Sequence, residues 1–365
     1  MWILSRGMCS RLCGLFILSL QVISKASCVG SFPLHTLAVQ ESSSPSWTNY
    51  SAFVVFGDSY SDNGHPRSPE DQRSLAPKPS SGGRFSDGPV WDEYLARKLS
   101  KPAGPNITFL NYAYNGAFID NRKHKLPVRP VPDTATQIKT YLKDLQKRAE
   151  HPVSEKVFGG RILHALWIGI NPIIAIWRSE IYGNQTHCDS DTFLDPKLVA
   201  QLDTQVEQFS QQLVELLTKP NISQCQADYM IMTIPPLTNT LLASMESSNA
   251  AKGNHTIAQH NRQLLGRLTD RFNTKLIEAI QRITPQFFEK RSRITVFDTE
   301  QLWNDVSSAP EKFGIKSLDA CVTDPRKPPC KKPREHMYWD ILHPSTALHE
   351  SLSTAIMNFL GHLGY

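Results

Sequence analysis

After its first two dozen residues the chain has no apolar run long enough for a transmembrane helix. It also lacks a long basic stretch. Its formal charge of +5 comes from 39 Lys and Arg against 34 Asp and Glu. Three of those basic residues, Arg6, Arg11 and Lys25, lie in residues 1–26, which hold no acid. The rest of the chain carries 36 against 34. Electrostatics therefore gives a nucleic-acid partner no support. No glycine-rich loop follows a strand, so there is no nucleotide site to propose. Of the 12 histidines, His343 is taken up below. The others are scattered without metal-ligand spacing, and surface or satisfied core roles suit them better. There is no internal repeat and no clear domain boundary. With 40% hydrophobic and 20% charged residues, the composition is that of a globular chain able to build one large core.

What is present at the start reads as a secretory signal over residues 1–26. Arg6 and Arg11 are its positive end, Leu12 to Ile23 its apolar stretch, and Ser24-Lys25-Ala26 puts small residues where a signal peptidase reads. An uncleaved anchor is the weaker alternative. Five glycosylation sequons point the same way, at Asn49, Asn106, Asn184, Asn221 and Asn254, although each is a weak match alone. A secreted, extracellular glycoprotein with no stable membrane insertion after signal removal is therefore expected. Of the seven cysteines, Cys9 and Cys13 leave with the signal. Cys188, Cys225, Cys321 and Cys330 form an even set that suits two disulfides in an oxidising compartment. Cys321 and Cys330 flank a Pro-rich loop and are paired on proximity. Cys188 then pairs with Cys225, and Cys28 has no identifiable partner.

Residues 27–50 are Ser-rich and aperiodic and read as an arm or linker, so the single domain is placed at 51–365. Short apolar runs at 52–57, 107–112, 162–168, 227–234 and 293–297 read as strands. Helical patterns separate them at 89–99, 135–149, 196–217 and about 255–283, with a last helix from about Ser345. Asp195 caps the third of these, with Pro196 in its first turn. Residues 64–90, dense in Pro, Ser and Gly, read as a long loop over the surface. Continuously apolar strands alternating with helices indicate an α/β fold with a five-stranded parallel sheet covered on both faces. In such sheets sites form beyond the carboxyl ends of the strands. Ser59, Gly116 and Asn171 each fall just after a strand.

Ser59 lies in Phe56-Gly57-Asp58-Ser59-Tyr60-Ser61-Asp62-Asn63-Gly64, where a buried strand breaks into small polar residues. Alone, Asp58, Ser59 and Asp62 are better read as turn and helix-cap residues. The rest of the chain changes that. A serine hydroxyl needs a base, and the base an orienting acid. Asp340 and His343, three apart on one short segment, supply both. The N–H groups of Ser59 and Gly116 and the side-chain amide of Asn171 are the natural donors for the oxyanion of acyl transfer. Each piece occurs by chance in many chains, but all of them in order at strand ends do not. Trp91, Trp177, Trp303 and Trp339 are able to stack on sugar rings, with core packing as the default.

Four blocks carry a resemblance. Phe56-Gly57-Asp58-Ser59 resembles the first block of the GDSL (SGNH) hydrolase family, with Tyr60 where the family usually has Leu. Tyr112-Ala113-Tyr114-Asn115-Gly116-Ala117 resembles the glycine block, Trp167-Ile168-Gly169-Ile170-Asn171 the asparagine block, and Trp339-Asp340-Ile341-Leu342-His343-Pro344 the Asp-x-x-His block. Gly83-Arg84-Phe85-Ser86-Asp87-Gly88-Pro89-Val90-Trp91 and the cysteine loop resemble the secreted fungal branch. That branch includes the acetylesterases of carbohydrate esterase family 16, which act on plant-cell-wall oligosaccharides. The resemblance implies a flavodoxin-like α/β/α sandwich and a serine esterase that needs no metal or cofactor. It implies Ser59 as nucleophile, His343 as base, Asp340 as its partner, and Ser59, Gly116 and Asn171 as the oxyanion hole. The implied substrate is an acylated carbohydrate or another small ester. A lipase or phospholipase of the same family is the main rival. The family usually has Asp after the third-block Asn, and this chain has Pro172, which removes a backbone donor and fixes the local geometry. Pro172 favours a third reading, a catalytically silent secreted binding protein that kept the fold.

Overall fold

The computed structural model describes residues 50–64, 83–100, 107–123, 131–149, 160–183, 194–219 and 226–363. The signal and most of the arm, Cys28, the Cys188–Cys225 pairing and the sequons at Asn49, Asn106, Asn184 and Asn221 lie outside the described residues.

Five strands form one parallel sheet in the order β2-β1-β3-β4-β5: β1 (Tyr50–Gly57), β2 (Thr108–Asn111), β3 (Arg161–Trp167), β4 (Ala227–Met232) and β5 (Arg293–Phe297). Parallel neighbours require crossovers, which the intervening helices supply. Strand β1 is almost wholly buried between β2 and β3, whereas β2 is a half-buried edge. Strand β1 starts at Tyr50, within the segment assigned to the arm: Tyr50 pairs with Arg161 of β3, and its hydroxyl donates to the buried Asp228 carboxylate at 2.7 Å.

Successive residues of a strand face opposite sides, and β3 shows what each side meets. His164 points toward α2 (Thr134–Ala149), where Tyr141 meets it, and stacks on Tyr229 of β4. Trp167 points the other way, against Trp91 of α1 (Trp91–Leu99) and Trp303. Both faces are thus covered. The layer with α2 also holds α3 (Ile170–Ile181), α4 (Pro196–Thr218), α5 (Leu241–Ala250) and α6 (His255–Glu289), which pack on one another. The opposite layer holds α1, α7 (Thr299–Ser308), which carries Trp303, and α8 (Thr346–His362), which packs on α1. Trp91, Trp177 and Trp303 are fully buried, so packing, not sugar stacking, is their role.

Three helices were not anticipated. Helix α3 starts right behind β3, with only two residues between strand and helix, and is mostly apolar and buried. Helices α5 and α7 are only ten residues each. Helix α6 runs through Pro285, beyond the expected end near 283. A small parallel pair, β6 (Ser317–Ala320) with β7 (His336–Tyr338), carries the cystine Cys321–Cys330 at its edge. The described part of the 64–90 segment corrects the expectation of a surface loop. Phe85, Ser86 and Gly88 are buried, because this stretch is bound to the start of α8. Among the described residues no helix is long and apolar enough to cross a membrane.

Candidate active site

Ser59 lies two residues past the end of β1 in a tight turn. The Asp58 carbonyl accepts from the Ser61 and Asp62 amides at 3.0 and 2.9 Å, and the Asp58 carboxylate accepts from the Tyr60 amide at 3.1 Å. Gly57 is required just before it: a Cβ there would lie 2.4 Å from the Trp167 carbonyl oxygen on β3. The Gln137 side chain holds both backbone groups of Gly57, at 3.0 and 2.9 Å. The turn is therefore fixed from β3 and from α2 before any substrate arrives.

Asp340 and His343 follow β7 on a turn that the carboxylate itself organises. Asp340 Oδ1 accepts from the Leu342 and His343 amides at 2.9 and 2.8 Å. His343 Nδ1 lies 2.9 and 2.8 Å from the two Asp340 oxygens, and Nε2 lies 2.8 Å from Ser59 Oγ. Burial pushes the Asp340 carboxyl up, but the His343 ring and the two amides outweigh it and hold it below the ordinary carboxylate range. An ionised carboxylate only accepts, so Nδ1 carries the proton. Nε2 is left with a lone pair aimed at the serine hydroxyl.

Three segments meet beside Ser59. The Tyr114 amide donates to the Gly57 carbonyl at 3.1 Å, and the Asn115 amide to Asp62 Oδ2 at 2.8 Å, which docks the 112–117 loop on the serine turn. Gly116 has a φ of +79°, a conformation that favours glycine. A Cβ there would meet nothing nearer than 3.9 Å, so conformation rather than space demands the glycine. Asn171 is not in a loop after β3 but in the first turn of α3. Its amide donates to the Ala117 carbonyl at 3.0 Å, tying α3 to the glycine loop, and an amide nitrogen has a second N–H to offer. Among the described residues the Ser59 and Gly116 N–H groups make no hydrogen bond, as donors reserved for a ligand would.

Pro172 occupies the third position of α3, and the first bond of that helix runs from the Ile173 amide to the Gly169 carbonyl at 3.1 Å. The N–H that proline lacks is one that a helix start leaves unpaired in any case. The substitution thus costs α3 no hydrogen bond.

Asp62 and Gln137 are the structural partners that the sequence did not single out. Asp62 was legible only as a cap residue, and nothing in its sequence marks Gln137. The serine turn also buries a second acid. Burial drives the Asp58 carboxyl up to about 7, against the Tyr60 amide and the His343 ring, which pull it down. Among the described residues no group of His, Cys, Asp or Glu is arranged to hold a metal ion.

A family model described as GDSL-like lipase/acylhydrolase matches residues 53–356. The chain belongs to that family, and it is an ester hydrolase by that membership. It is 25% identical over 342 residues to a phosphatidylcholine-sterol acyltransferase of Aeromonas hydrophila, covering 85% of this chain and 90% of that one. It is 21% identical over 328 residues to a thermolabile hemolysin of Vibrio parahaemolyticus, covering 85% of this chain but only 64% of the hemolysin, just under two thirds of its length. Among solved structures, an extracellular lipase of Streptomyces rimosus aligns at 13% identity with a TM-score of 0.37, covering 85% of this chain and 98% of that one. A phospholipase A1 of Streptomyces albidoflavus aligns at 13% identity and a TM-score of 0.36 over the same shares.

Proposed function

We propose that this GDSL hydrolase cleaves short-chain acyl esters, acetyl esters above all, through an acyl-Ser59 intermediate. The carrying observation is the continuous chain from Ser59 Oγ through the His343 ring to Asp340, with 2.8 Å at both hydrogen bonds. In this reading Ser59 Oγ bonds to the ester carbonyl carbon as its proton passes to His343 Nε2. The carbonyl oxygen takes the negative charge. The Ser59 and Gly116 N–H groups and the Asn171 amide receive it, each such donor contributing about 3 kcal/mol to transition-state stabilisation in comparable sites. Collapse breaks the bond to the alcohol oxygen, which takes the proton back from the imidazolium. Water then repeats the sequence and releases the acid.

The preference for acetyl groups on cell-wall oligosaccharides rests on the likeness of the 83–91 segment and the cysteine loop to secreted acetylesterases. We further propose that the chain is secreted and glycosylated. The Cys321–Cys330 cystine suits an oxidising compartment, and Asn254 of the fifth sequon is exposed at the start of α6. A second reading, hydrolysis or transfer of longer acyl chains, is favoured by the family's description as lipase/acylhydrolase and by the name of one relative, a phosphatidylcholine-sterol acyltransferase.

Hydrolysis of p-nitrophenyl acetate, butyrate and a long-chain ester, with Ser59→Ala as control, separates these readings. Activity that falls with chain length and vanishes in Ser59→Ala is the expected result, with acetylated xylo-oligosaccharides as the next substrate. A rise with chain length moves the assignment to a lipase. No Ser59-dependent turnover of any ester leaves a binding role. Loss of mass on endoglycosidase treatment of protein from a secreting host checks the glycosylation.

A further inference from the structure

The residue on each side of His343 has its carbonyl held by a hydroxyl from a different loop. The buried Tyr60 hydroxyl donates to the Leu342 carbonyl at 2.7 Å. The buried Ser86 hydroxyl donates to the Pro344 carbonyl at 3.0 Å. Each loop also sets an aromatic ring against the imidazole. Tyr60 lies 5.8 Å away between ring centres, and Phe85, the neighbour of Ser86, lies 5.0 Å away. The His343 carbonyl is itself held, by the Trp339 amide at 2.8 Å. Of these groups, Tyr60 departs from the family's usual Leu, and the 83–91 segment has no part in the chemistry proposed above.

We propose that Tyr60 and Ser86 are positioning residues for His343, and that with Phe85 they form a two-sided bracket that keeps Nε2 on the serine. The inference rests on the esterase reading. The base must stay aligned with Ser59 Oγ and then with the leaving alcohol, and small misplacements of such groups cost large factors in rate. The carboxylate of Asp340 fixes one edge of the ring but not its tilt. Leucine at position 60 would fill space but donate nothing to the Leu342 carbonyl. Burial holds the Tyr60 phenol well above its ordinary range, so it remains a donor wherever the enzyme works. The Ser86 arm is itself anchored. The Thr346 amide donates to the Asp87 carboxylate at 2.7 Å, and a Cβ at Gly88 would lie 2.7 Å from the Thr346 hydroxyl. The loop therefore sits directly on the start of α8, one turn past the base.

The test compares Tyr60→Phe, Ser86→Ala and the double variant with Tyr141→Phe. Tyr141→Phe deletes a buried hydroxyl on the opposite face of the sheet and controls for loss of stability alone. Readouts are kcat and KM on the preferred p-nitrophenyl ester, the rate at which a fluorophosphonate modifies Ser59, and Tm. Each bracket variant is expected to lower kcat and phosphonylation by about ten-fold with KM nearly unchanged. The double variant should lose less than the product of the two, since both act on one ring. Tyr141→Phe should lower Tm and leave kcat alone. If Tyr60→Phe does not fold, Ser86→Ala decides by the same criteria. A fall in Tm without a fall in kcat for either bracket variant overturns the proposal. A wild type that reacts with neither ester nor phosphonate overturns the esterase reading and the bracket together, whereas an active wild type with unaffected variants sinks the bracket only.

Discussion

Among the described residues two buried or half-buried imidazoles are bonded to a hydroxyl, and only one of them has an acid on its other nitrogen. His164 Nε2 lies 3.0 Å from the Tyr141 hydroxyl in mid-sheet. His343 Nε2 lies 2.8 Å from Ser59 Oγ at the sheet edge. The difference is in what surrounds each pair. His164 is fully buried, stacks on Tyr229 at 4.7 Å, and has no carboxylate on its other nitrogen. Burial lowers its pKa to about 3, so it stays neutral and inert. His343 has a carboxylate on Nδ1 and a serine turn beyond the end of a strand. A hydroxyl–imidazole contact is thus common furniture of a core. In the reading proposed here, the orienting carboxylate and the strand-end position turn the same contact into a base and a nucleophile.

Removing the carboxylate should make the edge pair behave like the core pair. In Asp340→Asn the new amide is able to donate to Nδ1, which selects the tautomer with the proton on Nε2. That ring no longer accepts the serine proton. The expected loss in kcat is about 10⁴-fold with KM little changed, measured on the preferred ester. A loss under ten-fold would show that His343 does not depend on Asp340. The next effect sharpens the contrast from the substrate side. In the proposed reaction the edge offers donors for a charge that exists only in the transition state, and the core offers none. Asn171→Ala should lower kcat by about 10²-fold to 10³-fold, again with KM little moved. An effect on KM alone would reassign Asn171 to substrate binding.

Much of this contrast was legible in the sequence, for a physical reason. Ser59, Gly116 and Asn171 follow apolar runs, and a parallel sheet brings such strand ends together whatever the crossovers contain. Asp340 and His343 were legible because the pair is local. The supports were not. Gln137 reaches Gly57 from 80 residues away, and Ser86 reaches Pro344 from 258 away. Neither contact leaves a periodic trace. Helix α3 was missed for another reason: it follows β3 after only two residues, so its apolar start runs on from the apolar strand. The segment after Gly83 was read as a surface loop because its Gly and Pro content marks irregular backbone. Composition does not say whether irregular backbone is buried.

The core histidine makes its own prediction, smaller and confined to stability. Its folded pKa of about 3 lies below the ordinary 6.5, so between these values the unfolded chain binds the proton and the folded chain does not. The stability attached to neutral His164 is therefore present above pH 6.5 and is lost as pH falls toward 3. Glutamine does not titrate. The stability gap between wild type and His164→Gln should narrow by about 2 kcal/mol from pH 6 to pH 4, as read by urea unfolding. Asp58 and His349 also have shifted pKa values, but they are the same in both proteins and cancel. The kcat of His164→Gln should stay at the wild-type value. A pH-independent gap would mean that His164 is protonated in the fold.

The smallest effect is expected where the sequence departs most visibly from its family, at Pro172 beside Asn171. In the core a single misplaced polar group is costly, but the first turn of α3 has unpaired N–H groups to spare. Helix α3 makes its first bond from Ile173, one residue later. Asn171 is held through its side chain by Ala117, not through the amide that Pro172 lacks. Pro172→Ala restores that amide and removes the ring. It should change kcat by less than about three-fold, and lower stability by under about 1 kcal/mol through the greater freedom of the unfolded chain. A ten-fold rise in kcat would mean that proline holds Asn171 away from the oxyanion.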